Sequence, residues 1–138
     1  MNWIMYALGS ALFASLVAIF GKIGLKEVDS TLATTVRAIV MAFFLLLVSL
    51  SLGKFELLST IHSKALLFII LSGVAGALSW ICYFFAIKHG PVSSVAALDR
   101  LSVAFVFLIA LLFLGEAFTW TKLAGVLMII VGAIAMIL

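Results

Sequence analysis

Five long apolar runs dominate the chain, and short polar stretches separate them. The runs are Trp3–Phe20, Thr31–Leu52, Ala65–Ile87, Ser93–Leu114 and Thr119–Leu138. A membrane-spanning helix needs about 20 mostly apolar residues, which these runs supply. The runs are continuous rather than alternating with a period of two, so strands of a membrane barrel fit poorly. The pattern predicts an all-α, polytopic membrane helix bundle with five transmembrane helices, in a single domain over residues 1–138.

Turn and capping residues mark the ends of these runs. Gly53 follows the second run as a C-terminal cap, and the segment Lys88–Pro91, which contains Gly90, is a strong turn signal after the third. Gly115-Glu116 breaks the chain after the fourth run. Ser63 and Thr119 are available to cap the third and fifth helices. Lys54–Lys64 is the longest polar stretch between runs.

Composition excludes several classes of protein. Of the 138 residues, 67% are hydrophobic and 9% are charged, whereas a soluble domain needs roughly a quarter of its residues charged. The outer surface is therefore expected to face the lipid bilayer. The net charge of +3 is dispersed, so nucleic acid is not an expected partner. With one cysteine, Cys82, and no HExxH, GxSxG or phosphate-binding motif, neither a metal, a cofactor nor an enzymatic activity is expected.

The loop charges do not select one orientation in the membrane. Five crossings place the two termini on opposite sides, and each side then carries three loop lysines: Lys54, Lys64 and Lys122 against Lys22, Lys26 and Lys88. Arg37 and Arg100 add a weak preference for the second side to be cytoplasmic. A balanced chain can insert both ways, and many transporters consist of inverted repeats. An antiparallel homodimer is therefore predicted, with a single orientation, as a parallel dimer or a monomer, as the alternative.

Ionisable residues inside a membrane are costly and are candidates for function. Arg37 and Asp99 each lie about six residues into runs that start from the same side, so both are expected roughly 9 Å below the surface. The third run ends on that side and brings Trp80 and Tyr83 to a similar depth. A carboxylate and aromatic faces suit a polar or cationic solute. Arg100, about 100° around the helix from Asp99, either joins this site or extends toward the headgroups.

A structural interpretation of the same residues stays open. Arg37 and Asp99 can form an ion pair that only holds two helices together, with Trp80 and Tyr83 as interfacial anchors. Glu116, at a helix junction, suits capping better than chemistry. Gly125 and Gly132, seven residues apart on one helix face, suit either ordinary packing or a subunit interface.

From Phe13 to the C-terminus, the sequence resembles one EamA-type domain of the drug/metabolite transporter superfamily. The residues that carry the resemblance are Lys22 in Phe20-Gly21-Lys22, Arg37, the segment Tyr83–Gly90, Leu114-Gly115-Glu116 followed by Thr119, and Gly125 and Gly132. Larger members carry two such domains and ten helices, so this chain resembles the short, single-domain members. The resemblance implies a multi-pass protein of the prokaryotic cytoplasmic membrane that transports a small solute by alternating access.

The resemblance leaves the substrate open. Many relatives have a proline in the fourth helix, where this chain reads Asp99-Arg100-Leu101-Ser102. The four-helix multidrug branch couples transport to protons through a glutamate in its first helix, but Trp3–Phe20 contains no acid. A metabolite, an amino acid or a cationic drug is the expected solute. The alternative function is a non-transporting membrane subunit or assembly partner.

Overall fold

The computed structural model describes residues 2–138, and its secondary structure is helical. Its six α-helices are α1 (Asn2–Gly24), α2 (Ser30–Ser51), α3 (Ser63–His89), α4 (Val92–Asp99), α5 (Ser102–Phe113) and α6 (Trp120–Ala135). A 3-10 helix, Lys54–Thr60, lies within the longest polar stretch. The all-α class predicted from the sequence is confirmed.

Four helical stretches are long and apolar enough to cross a membrane. They are Trp3–Gly24, Ser30–Ser51, Ser63–His89 and Val92–Phe113, the last of which combines α4 and α5. The fifth predicted run corresponds to α6, a shorter apolar helix of 16 residues. At 1.5 Å per residue, α6 is about 24 Å long, somewhat less than the hydrocarbon thickness of about 30 Å. The chain is a polytopic membrane protein, as predicted.

The fourth run is helical but interrupted. The backbone N–H groups of Arg100, Leu101 and Val103 bond carbonyls three residues back, at 3.1, 2.9 and 3.0 Å, instead of four residues back. This tightened turn separates α4 from α5 where one continuous helix was predicted. Asp99 and Ser102 flank the turn, and both residue types compete with helical hydrogen bonds through their own side chains. Asp99 is consequently the last residue of a helix rather than a residue in its interior.

The chain divides into two compact units. One is continuous and is called here the Gly21–Lys88 unit. The other combines Met1–Phe20 with His89–Leu138 and is called the terminal unit. In the Gly21–Lys88 unit, the buried side chains include Leu25, Phe84 and Ile87, which are 0–3% exposed. In the terminal unit, the described buried residues are alanines: Ala18, Ala110 and Ala133.

Capping interactions fix the ends of several helices. The Asp29 carboxylate accepts hydrogen bonds from the N–H groups of Thr31 and Leu32, at 2.9 and 3.0 Å, and so begins α2. Gly53 has a φ of 63° directly after the end of α2, as its predicted capping role requires. The Thr119 hydroxyl accepts from the N–H of Lys122 at 3.3 Å and caps α6, as predicted. Ser63 is instead the first residue of α3, and the carbonyl of His62 accepts the first helical bond.

Candidate functional site

Arg37 of α2 is stacked on two aromatic rings of α3. Its guanidinium carbon lies 4.1 Å from the centre of the Trp80 ring and 4.9 Å from that of Phe84. Trp80 and Phe84 are four residues apart, one helical turn, so both rings lie on the same face of α3. The proximity of Arg37 to Trp80 agrees with the prediction that they share a layer. Phe84 was missed, although its i+4 spacing from Trp80 was a usable signal.

Tyr83 is the third aromatic residue at this position. Its ring meets that of Phe84 edge-on, with centroids 6.0 Å apart and an interplanar angle of 85°. Arg37, Trp80 and Tyr83 are each half-buried. The structure therefore brings together three of the five residues predicted to bind solute, within the Gly21–Lys88 unit.

The hydrogen-bonding state of Arg37 is unusual for a membrane helix. A guanidinium carries five N–H donors, and one of its terminal nitrogens, Nη1, is buried without a hydrogen-bond partner among the described residues. Leaving a buried donor unsatisfied costs about 1–3 kcal/mol. Contact with the faces of Trp80 and Phe84 offsets part of this cost, since cation–π contacts contribute about 0.5–2 kcal/mol. Arg37 is thus held by aromatic rings, while its Nη1 has no oxygen acceptor among the described residues.

Lys22 ties the end of α1 to the end of α3. Its Nζ donates to the carbonyl of Ile87 at 2.6 Å and to that of Lys88 at 3.4 Å. The last carbonyls of a helix lack partners within the helix, and the C-terminal end carries partial negative charge, so an ammonium group is favourable there. Gly21 packs beside Phe84 so closely that a Cβ at this position would overlap the ring. Gly21 and Lys22 of the Phe20-Gly21-Lys22 motif therefore both contact α3.

Lys88 makes a second connection in the same unit. Its Nζ donates to the carbonyl of Val28 at 2.7 Å, in the segment between α1 and α2. The pKa of the neighbouring Asp29 carboxyl lies below its ordinary value, and the hydrogen bond from the Leu32 backbone N–H is the largest cause. Burial raises this pKa, whereas the Thr31 N–H and the charge of Lys88 lower it further. The two lysines thus hold the connecting segments against the end of α3.

Asp99 and Arg100 lie in the terminal unit, at the interruption between α4 and α5. Both are exposed. Arg100 is the C-terminal cap of α4 and lines a cavity of about 330 Å³ whose other walls are Ala97, Val103, Ile129, Ala133 and Met136. Asp99 and Arg37 belong to different units, so their pairing and the common layer with Trp80 and Tyr83 stay predictions.

The remaining motif residues lie in and after the turn that follows α5. Gly115 has a φ of 67°, which favours glycine, and Glu116 forms a 3.0 Å ion pair with Lys122, with both side chains about half exposed. A Cβ added at Gly125 or Gly132 would meet no atom within 4 Å among the described residues of the terminal unit, so neither glycine serves a close helix contact within that unit. Among the described residues, no three His, Cys, Asp or Glu side chains cluster as a metal site would require.

Comparison with known proteins identifies relatives of the whole chain and of half of it. The EamA-like transporter family matches residues 1–138. A protein of Sinorhizobium sp named as an uncharacterized transporter in the cobO 3'region is 38% identical over 133 residues, which cover 96% of this chain and 94% of that protein. The pseudopaline exporter CntI of two Pseudomonas aeruginosa strains is 36% identical over 69 residues, 50% of this chain and 24% of the exporter. No solved structure matches.

Proposed function

The chain belongs to the EamA-like transporter family, and we propose that it carries a small solute across the membrane by alternating access, as an antiparallel homodimer. The match of the family to residues 1–138 carries this proposal, because it covers the apolar helices and the motifs between them. The names of the relatives also support a transporter role. A transporter is generally not an enzyme, which agrees with the lack of catalytic motifs in the sequence.

The homodimer is supported by the relative lengths of the chains. The same 69 residues make up 50% of this chain and 24% of the exporter CntI, so the exporter is about twice as long. Two copies of this chain would therefore match the length of one such relative. The three-against-three balance of loop lysines permits the two copies to insert in opposite orientations. Inverted repeats of this kind give transporters two equivalent halves that rock around a central site.

The small residues of α6 in the terminal unit also support a second copy. Helices associate in membranes through small residues that let backbones approach closely. Gly125 and Gly132 of α6 make no close contact within the terminal unit, and a helix of the partner could pack on them. A monomer surrounded by lipid is the competing arrangement, since lipid chains also cover apolar helix faces.

The solute site in this proposal includes Arg37, Trp80 and Tyr83 of the Gly21–Lys88 unit, together with Asp99 and Arg100 of the terminal unit. Arginine and aspartate are expensive inside a membrane and are retained there mainly for binding or coupling. The solute class is a metabolite, an amino acid or a cationic drug. Protonation of Asp99, or a cationic group on the solute, would compete with an arginine for this carboxylate and so couple binding to a proton.

A non-transporting membrane subunit is the second candidate. One observation favours it: the exporter CntI is about twice as long as this chain, so a different protein could supply the other half. In that case the chain would need its partner for any transport.

Solute flux in liposomes separates the two candidates. The full chain, purified alone, is reconstituted and loaded with amino acids, polyamines or organic acids under a proton or sodium gradient. The carrier proposal expects gradient-dependent flux of at least one solute class, absent from empty liposomes. If no class moves although labelling shows the protein inserted, the result contradicts the carrier proposal and favours the subunit function.

A further inference from the structure

We propose that Arg37, with Trp80 and Phe84, forms a binding site for an anionic oxygen group, a carboxylate or a phosphate. Where the group belongs to the transported solute, the inference rests on the proposed function and narrows its substrate to anionic or zwitterionic molecules. The same chemistry is present in a phospholipid headgroup. The experiment below distinguishes these two sources.

Arg37 differs from the chain's structural lysines in leaving a buried donor without an acceptor. Lys22, Lys88 and Lys122 each donate to an oxygen of the chain, at 2.6, 2.7 and 3.0 Å. Arg37, by contrast, has a terminal nitrogen, Nη1, that is buried and has no hydrogen-bond partner among the described residues. In the hydrocarbon core of a membrane, lipid chains cannot accept this hydrogen bond. An incoming oxygen ligand would satisfy these donors, and a carboxylate or phosphate can accept two parallel bonds from the guanidinium.

Arg37 is also not neutralised by a described acid of its own unit. Among the described acids of the Gly21–Lys88 unit, Glu27, Asp29 and Glu56, none forms an ion pair with it within 4.0 Å. The Asp29 carboxylate accepts from the backbone at the start of α2. The hydroxyl of Thr34, one turn before Arg37, donates to the Ser30 carbonyl at 2.7 Å. Within this unit, the guanidinium therefore keeps its full positive charge available.

The aromatic rings fix the guanidinium without neutralising it. Stacking at 4.1 and 4.9 Å restricts the plane of the group, which lowers the entropy that a ligand must remove on binding. The ring faces contribute electron density but no lone pair, so the N–H edge stays the part that recognises a ligand. A pre-oriented planar donor of this kind is suited to flat carboxylate and tetrahedral phosphate oxygens.

Depth explains why a lipid is the second possible source. Arg37 is the eighth residue of α2, about 10 Å along the helix from Ser30. An arginine side chain at this depth can reach toward the headgroup layer. A bound lipid phosphate would then satisfy the same donors that a solute carboxylate would satisfy.

The test uses Trp80 as a reporter in the full-length protein. Trp3 and Trp120, 72% and 78% exposed, are replaced by phenylalanine so that Trp80 is the fluorophore. The protein, in maltoside detergent without lipid, is titrated with inorganic phosphate or succinate at constant ionic strength held with sodium chloride. We expect a saturable change in Trp80 emission for the oxyanions and none for chloride. Arg37→Gln should weaken the apparent affinity at least tenfold. Arg37→Lys keeps the charge but loses the planar set of N–H donors, and it should weaken the affinity to a smaller extent.

Lys54→Gln is the matched control, because it removes one exposed cation from the same unit and should bind like the parent. If Arg37→Gln does not fold, the titrations of the parent and of Arg37→Lys still test whether the anion site exists. If phosphatidylglycerol added to the micelles changes Trp80 emission and soluble anions do not, the anion site stands and its ligand is a lipid. If neither soluble anions nor the lipid has an effect, or if Arg37→Gln binds like Lys54→Gln, the proposal is overturned and Arg37 only braces α2 against α3. The assay measures binding without transport, so its failure is distinct from a failure of the flux experiment.

Discussion

The two units of the chain bury different kinds of side chain. The Gly21–Lys88 unit encloses large residues, Leu25, Phe84 and Ile87, and is connected by lysine hydrogen bonds to main-chain carbonyls. In the terminal unit, the described buried residues are Ala18, Ala110 and Ala133. Alanines fill little volume but allow helices to approach closely. The first unit thus has specific internal contacts of its own, whereas the second presents small residues and open glycines that suit contact with another helix.

The difference extends to the charged groups. In the Gly21–Lys88 unit, Lys22 and Lys88 are used structurally, and Arg37 is held by aromatic rings without an oxygen partner. In the terminal unit, Asp99 and Arg100 are exposed at a helix interruption. If the two units have these different roles, mutations in the Gly21–Lys88 unit should mainly change stability, apart from those at the site around Arg37. Mutations at the interruption in the terminal unit should mainly change transport.

The largest expected effect is on transport, from Asp99→Asn. Asp99 is the last residue of α4, where a negative charge opposes the helix dipole, so its removal should not lower stability. Coupled transport should be abolished while the thermal midpoint stays within a few degrees of the parent. Gradient-driven flux and thermal unfolding are measured on the same preparation. Normal flux in Asp99→Asn, with loss of folding only in Asp99→Ala, would make the residue a structural hydrogen-bond partner.

The next effect is on stability, from Lys22→Gln. The variant loses the charged donor that bonds the Ile87 carbonyl, and hydrogen bonds of charged groups contribute about 1.5–3 kcal/mol. A loss of that size in the free energy of unfolding is expected in detergent, measured by thermal or denaturant unfolding. Lys26→Gln removes an exposed lysine nearby and serves as the control. Equal stability of the two variants would show that the connection to α3 contributes nothing.

Gly21→Ala should have a similar or smaller effect. The new methyl group would overlap the buried Phe84 ring, and overpacking costs about 1–3 kcal/mol, less the gain from replacing glycine in a helix. Gly9→Ala in the terminal unit meets no neighbouring atom and should be neutral or slightly stabilising. Thermal unfolding of both variants compares the packing of the two units directly. If Gly9→Ala destabilised the protein as much as Gly21→Ala, the two units would not differ in packing as described.

Much of the fold could be predicted from sequence, because hydrophobic run length and capping residues are local signals. Gly53 and Thr119 could be placed for this reason. The Lys22 and Lys88 hydrogen bonds join positions about 60 residues apart, and no local pattern specifies such pairs. The interruption after Asp99 was missed because no proline or glycine marks it. In the candidate site, the position of Arg37 beside Trp80 was predicted, but its lack of an acceptor is a tertiary property.

The smallest effect is a pH dependence from Asp29. Its folded-state pKa is lowered, first by the Leu32 N–H, so the stability it adds is present above the unfolded pKa and is lost as the pH falls through the folded pKa. Asp29→Asn keeps a good capping residue but removes the titration. As the pH is lowered from about 6 to about 3, through the range in which aspartates titrate, the difference in thermal midpoint between the parent and Asp29→Asn should therefore shrink. A difference that is constant over this range would contradict the assignment.

The orientation of the chain in the membrane tests the antiparallel homodimer most directly. Cys82 is replaced by serine and one cysteine is introduced at Ser59, an exposed residue of the Lys54–Thr60 segment. Intact cells are treated with a membrane-impermeant maleimide, before and after permeabilisation. The account predicts two populations of comparable size, one labelled from outside and one only after permeabilisation. A single population, reached from the same face in every preparation, would contradict the antiparallel homodimer.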